Sequence, residues 1–162
     1  LFRSLPGAFA YQQGTGFELM VDARVLGLVM MAAHFFVENL NIASIRQIRQ
    51  AYQDTDLRSK LGRYHNDVDV AFGGWNGAWL DPAFRAWNLE EFLKGVSAPA
   101  LVIQGEEDAY GTVAQVEAIA RGVGGPCETL LLPGCGHAPW RARAAETTAA
   151  IVRFVADVLG DR

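Results

Sequence analysis

The spacing of hydrophobic and polar positions changes character along the 162-residue chain. Residues 1–20 are weakly patterned, with turn signals at Ser4-Leu5-Pro6-Gly7 and Gly14-Thr15-Gly16. Gly27-Leu28-Val29-Met30-Met31-Ala32-Ala33 is a continuous apolar run. It predicts a strand buried on both faces, as in a parallel sheet, with His34-Phe35-Phe36-Val37 at its carboxyl end. From Ser44 to Phe92 the spacing turns helical. Ile45, Ile48, Tyr52 and Leu57 predict one amphipathic helix; Leu61, Tyr64, Val68 and Phe72 predict a second, ended by Gly73-Gly74. An aromatic cluster follows (Trp75, Trp79, Phe84, Trp87), and Asp81-Pro82 predicts the N-cap and first position of a short helix.

After Ser97-Ala98-Pro99 the pattern becomes regular. Residues 100–103 predict a strand. Thr112 caps a helix over Val113, Val116, Ile119 and Ala120 that Gly122 ends. Residues 128–132 predict another strand, and residues 144–159 a final helix with Ile151, Val155, Val158 and Leu159 on one face. Alternating strands and helices predict right-handed βαβ units. The expected fold class is therefore α/β. It has a partial parallel sheet of about three strands (near 27–33, 100–104 and 128–132), helices on both faces and a helical insertion. The expected divisions are a first segment at 1–37, the helical insertion at 38–95 and a core α/β segment at 96–162.

Composition narrows the function classes. The chain is 51% hydrophobic with a net charge of −4 and interspersed signs. That fits a packed domain and disfavours nucleic acid, whose binding rests on Lys/Arg clusters. Two cysteines, Cys127 and Cys135, are too few for a disulfide scaffold and read as free thiols. No apolar stretch reaches the ~18 residues of a membrane span. The start at Leu1, with no signal core after it, leaves a cytoplasmic setting as the expectation and allows a fragment. There is no G-x-G-x-x-G, no P-loop and no paired cysteine spacing, so no cofactor and no metal is implied.

Ligands of open α/β sheets gather outside the carboxyl ends of the strands. Three groups are expected there: His34, Asp108 and His137. Enough chain for one helix and one strand separates Asp108 from His137, so they top adjacent strands. Glu106 and Glu107 are rivals to Asp108. A carboxylate beside an imidazole fixes its tautomer and stabilises the imidazolium formed in proton transfer.

Pro99-Ala100-Leu101-Val102-Ile103-Gln104-Gly105-Glu106-Glu107-Asp108 resembles the acid-bearing strand and loop of the α/β-hydrolase family. Leu132-Pro133-Gly134-Cys135-Gly136-His137-Ala138-Pro139 resembles its histidine loop, and the run from Gly27 resembles the strand before its lid. The resemblance covers residues 25–160. It implies Asp108 as triad acid, His137 as general base, a helical lid, and hydrolysis of a small apolar ester or related substrate through a covalent intermediate. His34, Phe35, Trp75, Trp79 and Trp87 are the expected substrate-binding residues, since ligand pockets are mainly apolar with a few polar groups. His65 is expected to be solvated.

The chain departs from the family at the nucleophile. A G-x-S-x-G elbow should precede the acid. None of Ser4, Ser44, Ser59 and Ser97 has glycines two residues away on both sides, and no G-x-D-x-G or G-x-C-x-G substitutes. The expectation is a chain inactive by itself, with an apolar sheet edge that invites self-association or pairing. The alternatives are a non-catalytic hydrolase fold that binds small apolar ligands, or a dehalogenase, acyltransferase or C–C hydrolase on the same scaffold.

Overall fold

A computed structural model describes residues 8–13, 16–21 and 25–160, with side chains described for 25–160. Ala8–Gln13 (β1) and Gly16–Val21 (β2) pair as an antiparallel hairpin, in register from Ala8 opposite Val21 to Gln13 opposite Gly16. This corrects the reading of residues 1–20 as weakly patterned. Phe9 and Tyr11, then Phe17, Leu19 and Val21, alternate at period two across a Gly-Thr connection, which is a hairpin signal. The Ser4–Gly7 turn signal lies outside the described residues, as do Gly14 and Thr15.

Leu28–Met31 (β3), Ala100–Gly105 (β4) and Cys127–Leu132 (β5) form a parallel sheet in the order β3-β4-β5. Leu28 lies opposite Ala100, and Ala100 opposite Cys127. The α/β expectation thus holds, with two corrections to β3: it is half-buried, with Met31 36% exposed, and not buried on both faces, and it is shorter than the apolar run. β3 stops at Met31, because Ala32 takes a left-handed conformation (φ 47°) while its N–H still donates to Ile103 O at 2.9 Å.

All six residues of β4 are buried, as its near-continuous apolar run requires of a central strand. Alternation along the strand sends Leu101 and Ile103 to one face. There they pack with Leu132, Cys135, and Ala150 and Phe154 of Ala144–Gly160, the last helix. On the other face lies Val113–Gly122, capped by Thr112 Oγ1 accepting from Ala114 N at 3.2 Å. The inward face of the last helix is Thr147, Ala150, Ile151, Phe154 and Val158. Val155 and Leu159, expected inward, are 43% and 54% exposed. They lie one residue, about 100°, round the helix from Phe154 and Val158.

Phe36–Trp87 is a separate helical unit inserted in the chain between β3 and β4; residues 88–160 belong with the sheet. In chain order its helices are α1 (Asn39–Asp54), α2 (Leu57–Leu61) and α3 (Val68–Leu80), so that Val113–Gly122 is α4, Pro139–Ala142 α5 and Ala144–Gly160 α6. Leu57 belongs to α2 and not to the first helix, since Thr55 leaves the helical conformation. Tyr64 is 80% exposed and lies outside any helix. Gly73-Gly74 does not end the second predicted helix but lies inside α3. Two ties outweigh the glycine cost of about 1 kcal/mol each. Asp67 caps α3 by accepting from Val70 N, and Asn76, 1% exposed, donates to Ile45 O at 3.1 Å and accepts from Arg49 Nε at 2.6 Å. Asp81 caps the short 3-10 turn Pro82–Ala86 as expected. Among the described residues no helix is long and apolar enough to cross a membrane.

Candidate functional site

β4 and β5 end side by side, and their loops are stitched by backbone. Glu106 N donates to Leu132 O at 3.1 Å and Glu107 N to Cys135 O at 3.0 Å. The approach is so close that only glycine fits at 105. A Cβ there would meet Cys135 O at 2.0 Å. Beyond β5, Pro133-Gly134 turns the chain, with Gly134 at φ 64°, a conformation glycine adopts without penalty. Arg143 Nη1 holds the turn by donating to Pro133 O at 2.6 Å. Cys135 is buried in the core, and the next two residues carry His137 outward.

These loops bring Asp108 and His137 together. His137 Nδ1 lies 2.8 Å from Asp108 Oδ2 and 3.0 Å from Oδ1. The Asp108 side chain is 1% exposed and that of His137 38%. A carboxylate only accepts, so the bond requires the proton on Nδ1; in the neutral form of the ring that tautomer leaves the lone pair on Nε2. Tyr110 N donates to Asp108 Oδ1 at 2.8 Å, holding the carboxylate from the other side. The Tyr110 ring lies 4.8 Å from the His137 ring. Burial, and next the Asp108 charge, raise the Tyr110 phenol above its ordinary value, so it is neutral at pH 7. Glu106 and Glu107 are exposed, which leaves Asp108 as the carboxylate on the imidazole.

His34 belongs to the same cluster: its ring lies 5.9 Å from that of His137, and its Nε2 is 2.8 Å from Tyr110 O. Phe35 is buried, with its N–H donating to Gln115 Oε1 at 2.8 Å. Trp79 and Trp87 sit with Phe84 in an aromatic cluster of the helical unit, ring centres 5.2–6.2 Å apart. Trp75, 42% exposed, lies edge-on to Phe72. His65 is exposed. The sequence reading missed Tyr110 and two buried amides. Gln104 Nε2 donates to Gly111 O and Thr112 O at 2.7 and 3.0 Å, and Gln115 reaches the β3 crest. A glutamine inside the apolar run of β4 was the available signal.

Among the described residues nothing but Asp108 bonds the His137 ring, and no group of His, Cys, Asp and Glu is arranged to hold a metal ion. Ser97 precedes β4, at the opposite end of that strand from Asp108. Burial pushes the Cys135 thiol up, which favours the neutral thiol over the nucleophilic thiolate.

No protein-family model matches the sequence. Over 85 residues, 51% of this chain, it is 33% identical to epoxide hydrolase A of Mycobacterium tuberculosis, and the match spans 26% of that protein. An esterase of Thermogutta terrifontis superposes on 83% of the chain with a TM-score of 0.54 at 20% identity. The proline iminopeptidase of Mycobacterium smegmatis covers 85% with a TM-score of 0.56 at 15% identity. The chain spans 57% and 59% of those two structures. At such identities the likeness is one of fold.

Proposed function

We propose that this chain, whose fold is that of the α/β-hydrolases, supplies the acid and the base of a nucleophile–histidine–aspartate hydrolase. The observation that carries the reading is the 2.8 Å contact between His137 Nδ1 and a nearly fully buried Asp108, with the His137 side chain itself partly exposed. In this role Asp108 holds the tautomer and stabilises the imidazolium. His137 Nε2 takes a proton from the nucleophile or from water, then returns it to the leaving group. The 162 residues contain no elbow motif, so the nucleophile and the oxyanion donors come from a segment outside them.

The substrate class we assign is a small apolar ester. The likeness to an epoxide hydrolase favours an epoxide as the second reading. Phe35, Trp75, Trp79 and Trp87 enter the proposal as apolar substrate contacts, His34 as a polar one, and the helical insertion as the lid. Two free thiols fit a reducing, cytoplasmic setting. The outer edge of β3, which no other strand pairs among the described residues, is proposed as a pairing surface, for a second copy or for the nucleophile-bearing segment.

The test has two arms. In the first, ¹⁵N-labelled imidazole reports the tautomer: neutral His137 carries its proton on Nδ1, and Asp108→Asn abolishes that preference. A proton on Nε2 in the unaltered chain overturns the acid–base assignment. In the second, activated esters and epoxides are offered to this chain and to the chain extended through the reading frame upstream of the Leu1 codon. His137-dependent turnover is expected from the extended protein alone. Turnover by the 162-residue chain that vanishes in His137→Ala overturns the external nucleophile, and no His137-dependent turnover in either overturns the hydrolase.

A further inference from the structure

One residue at the candidate site is pinned from both sides. Tyr110 gives its N–H to Asp108 Oδ1 at 2.8 Å, and its carbonyl accepts from His34 Nε2 at 2.8 Å. The next two carbonyls, of Gly111 and Thr112, accept from Gln104 Nε2. Fixing the peptide planes on both sides of Tyr110 fixes its φ and ψ. That sets where its N–H points at Asp108 and where its ring stands, 4.8 Å from the His137 ring.

Several unrelated features bring His34 to this carbonyl. Ala32 turns in the left-handed region at φ 47°, an uncommon conformation for a residue with a Cβ. The Phe35 N–H donates to Gln115 Oε1, from a side chain with no exposed surface. The Phe35 carbonyl accepts from Leu89 N at 2.7 Å. At Gly111 a Cβ would come within 3.0 Å of His34 Nε2, so the absence of a side chain there clears the imidazole's path. A left-handed residue, a buried amide and a missing side chain thus flank the segment that brings His34 to Tyr110 O.

We propose that His34 is a positioning residue for the Asp108–His137 pair, acting through the Tyr110 backbone. This rests on Asp108 and His137 being the acid–base pair. What His34 contributes is a donor at Nε2: with Tyr110 O held, the Tyr110 peptides cannot rock and Asp108 keeps both oxygens on His137. Without the donor the loop samples orientations in which the Nδ1–H of His137 meets water.

The readout is the His137 Nδ1–H proton, observed by NMR in the 162-residue chain and assigned by its loss in His137→Gln. Its exchange with water measures how long the bond to Asp108 stays closed. His34→Gln places an amide N–H near the position of Nε2 and is expected to keep exchange close to the native rate. His34→Met has similar bulk and no donor. It is expected to raise exchange about tenfold, the size of one lost hydrogen bond, with little change in the urea unfolding midpoint. Native exchange in His34→Met, or equal acceleration in both variants, overturns the proposal. So does failure of His34→Met to fold, which assigns His34 to stability and not to positioning. A missing Nδ1–H signal in the unaltered chain instead sinks the acid–base pair itself, which separates the two failures.

Discussion

Gly105→Ala tests whether the close approach of β4 to the histidine loop is what assembles the site. The added methyl would stand 2.0 Å from Cys135 O, 2.4 Å from Cys135 C and 2.4 Å from Gly136 O. All three are backbone atoms, so no side-chain rotamer relieves the clash. An ordinary contact needs about 3.4 Å, so the loop must retreat by roughly 1.4 Å. That distance breaks the two bonds that stitch the loops, Glu106 N to Leu132 O and Glu107 N to Cys135 O. Each is worth about 1 kcal/mol, and forcing a methyl into a packed interior adds about 1–3 kcal/mol. The expected loss is about 3–5 kcal/mol, a large share of the 5–15 kcal/mol that holds ordinary domains. Urea titration followed by tryptophan fluorescence reads the stability, and NMR reads the His137 Nδ1–H. Either the cooperative transition disappears, or a folded variant loses the Asp108 bond. A variant within about 0.5 kcal/mol of the parent with the Nδ1–H intact would refute the reasoning, because the loops would then not depend on contact at Gly105.

Gly74→Ala should have the opposite sign. A Cβ at Gly74 meets nothing within 4 Å inside α3, so the change is expected to stabilise by about 0.5–1 kcal/mol, read from the same urea titration. The helical unit should also carry a pH signature. Hydrogen bonds from Arg58, then from Tyr52, hold the Asp69 carboxyl well below the ordinary carboxylate range. A lowered folded value means the contribution is complete above the ordinary carboxylate pKa and is lost as pH falls towards the folded one. The unfolding midpoint should therefore drop on acidification below about pH 4 more steeply in the parent than in Asp69→Asn, and 1 M salt should shrink the difference. At the sheet edge, the N–H groups of Leu28 and Ala32 point at β4, which aims those of Val29 and Met31 the other way. Met31 is 36% exposed. Sedimentation should show concentration-dependent association that Met31→Lys reduces; a monomer at all concentrations would count against the open edge as a pairing surface.

The core strands and the two loops were legible because their signals are local. A continuous apolar run that stops at glycine marks a strand and its end: β4 is buried throughout and obeys the rule in full, whereas β5 buries only Leu132 and its run ends at Pro133-Gly134. Where the reading failed, a longer-range contact decided. Gly73-Gly74 reads as a stop, yet α3 continues because Asn76 bonds Ile45 O and Arg49 on α1. The inward face of α6 centres on Phe154, whose ring fills the space beside Leu101 and Ile103. Periodicity alone allows Val155 equally well, since a helix wheel does not show which sector faces the sheet. The pairing of β1 with β2 carries a local signal of its own, period-two alternation of Phe9, Tyr11, Phe17, Leu19 and Val21.

The candidate site divides in the same way. Asp108 and His137 were legible as residue types at strand ends; the groups that orient them were not, because they act through backbone atoms. One rule would have found them. Burying an amide without a partner costs about 1–3 kcal/mol, so a polar residue in an apolar run implies a specific bond. Gln104 sits in Leu101-Val102-Ile103-Gln104, and Gln115 lies on the buried face of α4 between Thr112 and Val116. Both are buried, and among the described residues no buried side-chain nitrogen or oxygen lacks a partner. Each amide is satisfied by the main chain of a site loop, Gln104 by residues 111–112 and Gln115 by Phe35. A hydrophobic replacement at either position would fill the core as well and leave those loops untied. The polar intruders in this core therefore mark the loops whose positions matter, and they converge on the segment that carries Asp108 and on the strand end that carries His34.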